Sequence, residues 1–89
     1  MAKLAFTPHL RKVIDPSLRE MSGNTVREVL DAAFAEAPAA RGYVLDEQGR
    51  LRQHVAIFLN DTKMNPKEVL DQSVTNACEI YVMQALSGG

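Results

Sequence analysis

The stretch that decides the fold is NTVREVLDAAF, residues 24–34. Thr25 is a suitable helix N-cap, and Glu28 three residues later completes a capping box. Apolar residues then recur at the three- and four-residue spacing of a helix, which gives one apolar stripe. Pro38 is expected to end this helix near Ala37, because the residue before a proline is disfavoured in the helical conformation. The pattern therefore predicts one amphipathic helix with a single face to bury.

Alternating apolar residues predict strands on both sides of this helix. Residues 3–7 form the first strand, and residues 17–21 form a short second strand with Leu18 as an inward anchor. Residues 54–59 and 79–84 are the two strong strands after the helix.

Two weaker elements separate the later strands. Tyr43-Val44-Leu45 and residues 50–52 flank a turn at Asp46–Gly49, which predicts a small hairpin. Asn60-Asp61 is a turn pair, and residues 67–70 favour a single helical turn.

The order of these elements predicts an α+β fold of the β-grasp type. One main helix must cover one face of one mixed sheet. The first and last strands are then central, parallel neighbours, with the helix in the connection between them. A ferredoxin-like fold is disfavoured, because it needs a second full helix.

Composition excludes several classes of function. The chain has 89 residues, enough for one domain, and 46% of them are hydrophobic, which argues against disorder. The net charge is −1 and the charges are mixed; the cluster His9, Arg11, Lys12 is too small for a nucleic-acid interface. A single cysteine, Cys78, rules out an internal disulfide and favours a cytoplasmic protein. There is neither a signal pattern nor an apolar run of about 20 residues, so we expect no membrane partner.

Catalytic and metal-binding motifs are missing from the sequence. It contains no GxSxG, Walker, HExxH or CxxC pattern. His9 and His54 stand far apart with no third ligand, so we expect no metal site. Cys78 adjoins Glu79, whose negative charge disfavours a reactive thiolate, and we interpret it as a structural residue.

The end of the chain is the remaining candidate for chemistry. We expect residues 1–85 to form the domain and residues 86–89 a flexible tail, Leu86-Ser87-Gly88-Gly89. Two glycines have wide backbone freedom and no side chains, so they can thread a channel that Cβ atoms would block. Four extended residues reach about 13 Å. The alternative is a frayed end without function.

Several segments carry a resemblance to a known family: Lys3 to Phe6 with Leu10-Arg11, Asn24 to Leu30, Val55 to Asn60, Glu79 to Met83, and Leu86 to Gly89. They cover nearly the whole chain, which resembles the MoaD/ThiS sulfur-carrier proteins. Two turns depart from the family pattern. Ala77-Cys78 stands where the family often has Gly-Asp, and Asn60-Asp61 where it often has Asn-Gly.

The resemblance implies a ubiquitin-like carrier that acts as a co-substrate and is not an enzyme. An E1-like adenylyltransferase would use ATP to adenylate the carboxylate of Gly89. Sulfur transfer would then convert this group into a thiocarboxylate, which donates sulfur to a sulfur-accepting synthase. Gly88, Ser87 and Leu86 would thread the partner's channel, and the carrier itself would bind no cofactor.

The resemblance leaves the pathway and two other functions open. The product could belong to molybdopterin, cysteine, siderophore or thiamin biosynthesis. The Tyr43–Arg52 segment speaks against the shorter thiamin carriers, and Asp46–Gln53 resembles the cysteine and siderophore carriers more. The alternatives are a ubiquitin-like modifier joined to lysines through Gly89, and a β-grasp binding module.

Strand parity predicts where partners bind. If the side chains of Leu4, Ile57 and Ile80 face the helix, then their sequence neighbours face outward. Exposed aromatic and Met side chains are typical of protein interfaces. A second layer or a homodimer could also cover them. The predicted partner interface consists of Thr7, Phe58, Tyr81 and Met83.

Overall fold

The computed structural model describes residues 1–84, which contain five strands and two α-helices. The strands are β1 (Ala2–Phe6), β2 (Arg19–Met21), β3 (Val55–Leu59), β4 (Thr62–Lys63) and β5 (Glu79–Gln84). The helices are α1 (Val26–Glu36) and α2 (Pro38–Val44). Short 3₁₀ turns occupy Pro8–Leu10 and Val69–Asp71. Neither α-helix in residues 1–84 is long and apolar enough to cross a membrane.

The strands form one mixed sheet in the order β2-β1-β5-β3-β4. β1 and β5 are parallel, and every other neighbouring pair is antiparallel. The first and last strands are therefore adjacent in the middle of the sheet, as the sequence predicts. Phe6 lies opposite Val82, and Val55 lies opposite Gln84.

Helix α1 begins with the predicted capping arrangement. The Thr25 hydroxyl accepts a hydrogen bond from the Glu28 N–H at 3.2 Å. The Glu28 carboxylate in turn accepts the Asn24 N–H at 2.9 Å. The apolar stripe of α1 is almost inaccessible to solvent, with Val29 and Leu30 at 0% exposure. Burial of this stripe against the sheet is the main source of the helix's stability, because an isolated helix of this length is only marginally stable in water.

The second, shorter helix α2 is a correction to the hairpin strand predicted at Tyr43-Val44-Leu45. Tyr43 and Val44 were expected in a hairpin strand, and they form the last turn of α2 instead. Pro38 occupies the first helical position, where its missing N–H has no cost, so it ends α1 and also begins α2. The predicted hairpin is reduced to a single antiparallel bridge between Leu45 and Leu51. The predicted turn at Asp46–Gly49 is present, closed by a hydrogen bond from the Gly49 N–H to the Asp46 carbonyl at 3.0 Å.

The start of β2 also differs from the prediction. Leu18 is 43% exposed and lies before the strand, whereas Met21 is the buried residue of β2. The Asp15 carboxylate accepts the Ser17 N–H at 3.0 Å, so this segment forms a polar turn. The carbonyl of Pro16 accepts the Phe6 N–H at 3.0 Å and holds the turn against β1.

Two smaller elements also differ from the prediction. β4 was not predicted, because two residues are too few to show alternation. The helical turn expected at residues 67–70 is a 3₁₀ turn that begins two residues later, at Val69.

Candidate functional site

The sheet face opposite the helices presents the candidate partner surface. Tyr81 in β5 lies opposite Phe58 in β3 and Ala5 in β1, and Met83 lies opposite Ala56. Cross-strand partners share one face of a sheet, so these side chains are neighbours. We call Phe58, Tyr81 and Met83 the outward patch.

The exposure of β5 confirms its predicted register. Met83 is 40% exposed and Tyr81 is half-buried, whereas the alternate residues Ile80 and Val82 are at most 1% exposed. Phe58 is half-buried beside Tyr81. The outward patch is therefore partly accessible on the face away from the helices. Its role as a partner interface stays a prediction.

Thr7 is a correction to the predicted interface. It was expected to face outward with Ala5, but the two residues are only 4% and 7% exposed. The Thr7 N–H donates to the Val82 carbonyl at 2.7 Å, which holds Thr7 beside β5. Its hydroxyl lies 3.3 Å from His9 Nδ1 in the 3₁₀ turn that follows. Thr7 thus joins the turn to the sheet and offers no accessible side chain to a partner.

A tight turn anchors one end of the outward patch. The Tyr81 hydroxyl donates to the Glu79 carboxylate at 3.2 Å, and this hydrogen bond raises the pKa of Tyr81. The backbone N–H of Glu79 donates to Asn60 Oδ1, and the Asn60 N–H donates to the Glu79 carbonyl, both at 3.0 Å. Asn60 and Asp61 both have positive φ, 49° and 71°, as expected for a hairpin turn. Asp61 thus adopts a conformation in which glycine is more usual.

Cys78 lies at the entry to β5. The Thr75 N–H donates to its Sγ at 3.3 Å, and this contact lowers the pKa of the thiol. The side chain is half-buried and packs against the core, as expected for a structural residue. In residues 1–84, no three metal-ligating side chains come together.

The tail begins next to the centre of the sheet. β5 ends at Gln84, and this strand has β1 on one side and β3 on the other. The predicted site residues Leu86, Ser87, Gly88 and Gly89 lie outside the described residues, as does the predicted domain boundary after Ala85.

Comparison with known protein families identifies the family of this chain. The profile of the ThiS family matches residues 8–89. The chain belongs to the ThiS family. None of the curated proteins is similar enough in sequence to count as a relative. Membership in the ThiS family places the chain among the small ubiquitin-like sulfur carriers.

Solved structures confirm the ubiquitin-like β-grasp fold. A chain of the Amycolatopsis orientalis BexX/CysO complex has a TM-score of 0.85 at 19% identity, with 100% of both chains covered. Mycobacterium tuberculosis CysO has a TM-score of 0.83 at 18% identity, covering 97% of this chain and 100% of that one. The small archaeal modifier protein 1 of Methanosarcina acetivorans has a TM-score of 0.81 at 24% identity, covering 99% and 95%.

Proposed function

We propose that this protein is a sulfur carrier whose C-terminal Gly89 is adenylated and then converted into a thiocarboxylate. The observation that carries the proposal is the place where β5 ends. The strand lies between β1 and β3, and its last residue, Gln84, is followed by only five residues up to Gly89. Five extended residues reach about 16 Å, enough to place a carboxylate inside another protein's active site.

The chemistry explains why a carrier needs an activating partner. A terminal carboxylate has a pKa of about 3.5, so it is ionised at neutral pH and is a poor acyl electrophile. An E1-like enzyme lets this carboxylate attack the α-phosphorus of ATP, which forms the acyl-adenylate and releases pyrophosphate. A persulfide sulfur then attacks the acyl carbon and displaces AMP. A thiol finally cleaves the sulfur–sulfur bond and leaves the thiocarboxylate.

The folded domain has a passive part in this reaction. It supplies no side chain to the reacting atoms; it presents a surface for recognition and holds the end of β5 in place. Phe58, Tyr81 and Met83 form the accessible apolar surface on β3 and β5. Apolar and aromatic side chains of this kind are common interface anchors. We assign the outward patch to the E1-like enzyme and to the sulfur-accepting synthase in turn.

Mass spectrometry of the protein purified from its own host tests the proposal. A thiocarboxylate raises the mass by the difference between one sulfur and one oxygen atom. With the purified adenylating enzyme and ATP, deletion of Gly89 should abolish ATP–pyrophosphate exchange and leave folding unchanged. The substitution Gly42→Ala is a matched control, because a Cβ at Gly42 meets no atom within 4 Å. Normal adenylation of the truncated chain would contradict the proposal.

The same adenylate also permits the second candidate function, a ubiquitin-like modifier. In that case a lysine amine attacks the acyl carbon, and the product is an isopeptide bond to Gly89. Likeness in fold to the small archaeal modifier proteins favours including this candidate in the test. Recovery of lysine conjugates from the host, without any thiocarboxylate, would select the modifier.

The pathway depends on which synthase accepts the sulfur. The segment Asp46–Gln53 resembles the corresponding stretch of the cysteine and siderophore carriers. We therefore propose an acceptor enzyme of the cysteine or siderophore type in preference to one of the molybdopterin type. A neighbouring gene for a cysteine-synthase-like enzyme would support this order, and one for a molybdopterin synthase large subunit would reverse it.

A further inference from the structure

Two loops flank the point where β5 ends, which we call the tail root. β1 runs parallel to β5, so the loop after β1 lies at this end of the sheet. β3 runs antiparallel to β5, and its first residue, Val55, pairs with Gln84 at the tail root. The residues just before Val55 therefore lie on the other side of the root. An enzyme that binds the domain close to the tail root would meet both loops.

The loop after β1 is cationic. The hydrogen bond from Thr7 to Val82 fixes its start beside β5. A surface cleft of about 350 Å³ is lined by Pro8, His9, Arg11 and Lys12. Arg11 and Lys12 are both exposed, and neither has an acidic partner among residues 1–84. Two positive charges are thus available on this side of the root.

The loop before β3 contributes a third positive charge, the guanidinium of Arg52, which a hydrogen bond holds in place. The Val55 N–H donates to the Arg52 carbonyl at 3.1 Å, so the chain turns tightly from Arg52 into β3. Arg52 Nε donates to the Gly42 carbonyl at 2.7 Å, which orients the guanidinium and leaves its terminal N–H groups for other acceptors. No carboxylate within residues 1–84 forms an ion pair with Arg52.

The cleft beside this loop has a net positive lining. It has a volume of about 870 Å³ and includes Arg52 and Lys67, which have no ion-pair partner among residues 1–84. The charges of two further arginines in the lining are balanced by carboxylates: Arg27 lies 4.0 Å from Asp71, and Arg50 lies 3.5 Å from Asp46.

The tail-root end therefore brings together three cationic side chains, although the whole chain has a net charge of −1. At the opposite end of the sheet the charges are mixed, because the carboxylates of Asp61 and Glu79 lie near Lys3 and Lys63. Asp15 is an acidic residue on the tail-root side, and its carboxylate is engaged by the Ser17 N–H and hydroxyl.

We propose that Arg11, Lys12 and Arg52 form a cationic collar that docks an acidic rim around the tail channel of the adenylating enzyme. This inference rests on the proposed function, because it is uptake of the tail that brings the channel over the root. Exposed charges at the edge of an interface mainly steer association and select partners of complementary charge. The outward patch lies on the face of β3 and β5 away from the helices, whereas Arg52 lies on the side of α2, where its Nε bonds the Gly42 carbonyl. A partner that surrounds the tail root can therefore engage both. The collar is the charged edge of that interface.

The test compares Arg11→Glu/Lys12→Glu with Lys3→Glu, all at exposed positions. Lys3 is the control because it lies opposite Glu79, at the far end of β1 from the tail root. A single Lys12→Glu variant matches the control in charge change. Binding to the adenylating enzyme of the same organism is measured by calorimetry without ATP, at low and at high salt. ATP–pyrophosphate exchange is measured on the same preparations, and circular dichroism verifies the fold.

The collar predicts a loss of affinity of about tenfold or more for the double variant at low salt, and a smaller loss for Lys12→Glu. The difference should largely disappear at high salt, where exposed charges are screened. Lys3→Glu should bind like the unsubstituted protein.

Three other results overturn the collar, and they differ in what they say of the proposed function. Equal affinity of the double variant and Lys3→Glu, with normal exchange by the unsubstituted protein, refutes the collar alone. A raised KM for ATP without any loss of carrier affinity shows that these charges face the nucleotide instead. Absence of both binding and exchange for the unsubstituted protein overturns the collar and the proposed function together.

Discussion

Replacing Met83 with Asp separates the outward patch from the core. Met83 is 40% exposed, so the substitution removes only part of the roughly 1.5–3 kcal/mol that full burial of such a side chain contributes, about 1–2 kcal/mol. The adjacent Val82 is 1% exposed and faces the helices. Val82→Asp would bury a carboxylate without a partner and should unfold a domain whose total stability is of the order of 5–15 kcal/mol.

The effect of Met83→Asp on partner binding should exceed its effect on folding. Loss of an interface anchor costs about 2 kcal/mol or more. This corresponds to a decrease in affinity of more than tenfold, since about 1.4 kcal/mol is a factor of ten. Met83→Asn is the matched control, because Asn has nearly the same shape as Asp without its charge. This variant therefore reports the loss of apolar contact alone. If the partner's rim is acidic, the Asp variant should bind more weakly than the Asn variant, and salt should reduce that difference.

The measurements are chemical denaturation for the free energy of unfolding and calorimetry with the adenylating enzyme for affinity. Met83→Asp should give a cooperative transition close to that of the unsubstituted protein, and Val82→Asp should not. If Met83→Asp unfolds the domain and Val82→Asp does not, the register of β5 is reversed and every inward and outward assignment on it is wrong. If Met83→Asp folds and binds with unchanged affinity, the outward patch is not the interface.

Four further predictions concern single positions. Gly23→Ala should destabilise the fold by about 1–3 kcal/mol in denaturation, because φ is 152° and the new Cβ would lie 2.6 Å from the Val29 nitrogen; Gly42→Ala, in helix α2 with open space, should gain about 0.5–1 kcal/mol. Cys78→Ala should accept sulfur normally when the thiocarboxylate is measured by mass spectrometry; a folded variant that accepts none would contradict a terminal thiocarboxylate. The Arg50 N–H holds the pKa of Asp46 below its ordinary 3.8, so its contribution to stability is present above that value and is lost as the pH falls below it. Asp46→Asn should therefore flatten the acid side of a Tm-against-pH curve, and an unchanged curve would refute this.

The parts of the fold that follow from local pattern were predictable from the sequence. The N-cap at Thr25 and the apolar stripe of α1 depend on residues three and four apart. The alternation in β3 and β5 likewise fixes which residues face the helices, and hence that Tyr81 and Met83 face away from them. These elements determine the β-grasp order and the place of the outward patch.

The errors arise where a contact distant in sequence decides. Tyr43-Val44-Leu45 is a three-residue apolar run that suits a strand or a helix end; the helix that begins at Pro38 includes Tyr43 and Val44, whereas Leu45 bridges to Leu51. Thr7 continues the alternation of β1, yet its hydrogen bond to Val82 buries it. The residues of the cationic collar come from loops 40 and 41 residues apart in sequence, so no local pattern predicts it.

The fold and the proposed partner surfaces depend on different residues in this molecule. Structures with less than 25% identity to this chain share its fold, since a buried stripe on α1 and alternation in three strands suffice to form it. The exposed side chains of the outward patch and of the collar add little to that core. Substitutions there should change affinity by about a factor of ten at a cost of only about 1–2 kcal/mol in stability. If the chain acts as the proposed carrier, substitutions confined to these surfaces can therefore change the partner enzyme without changing the fold.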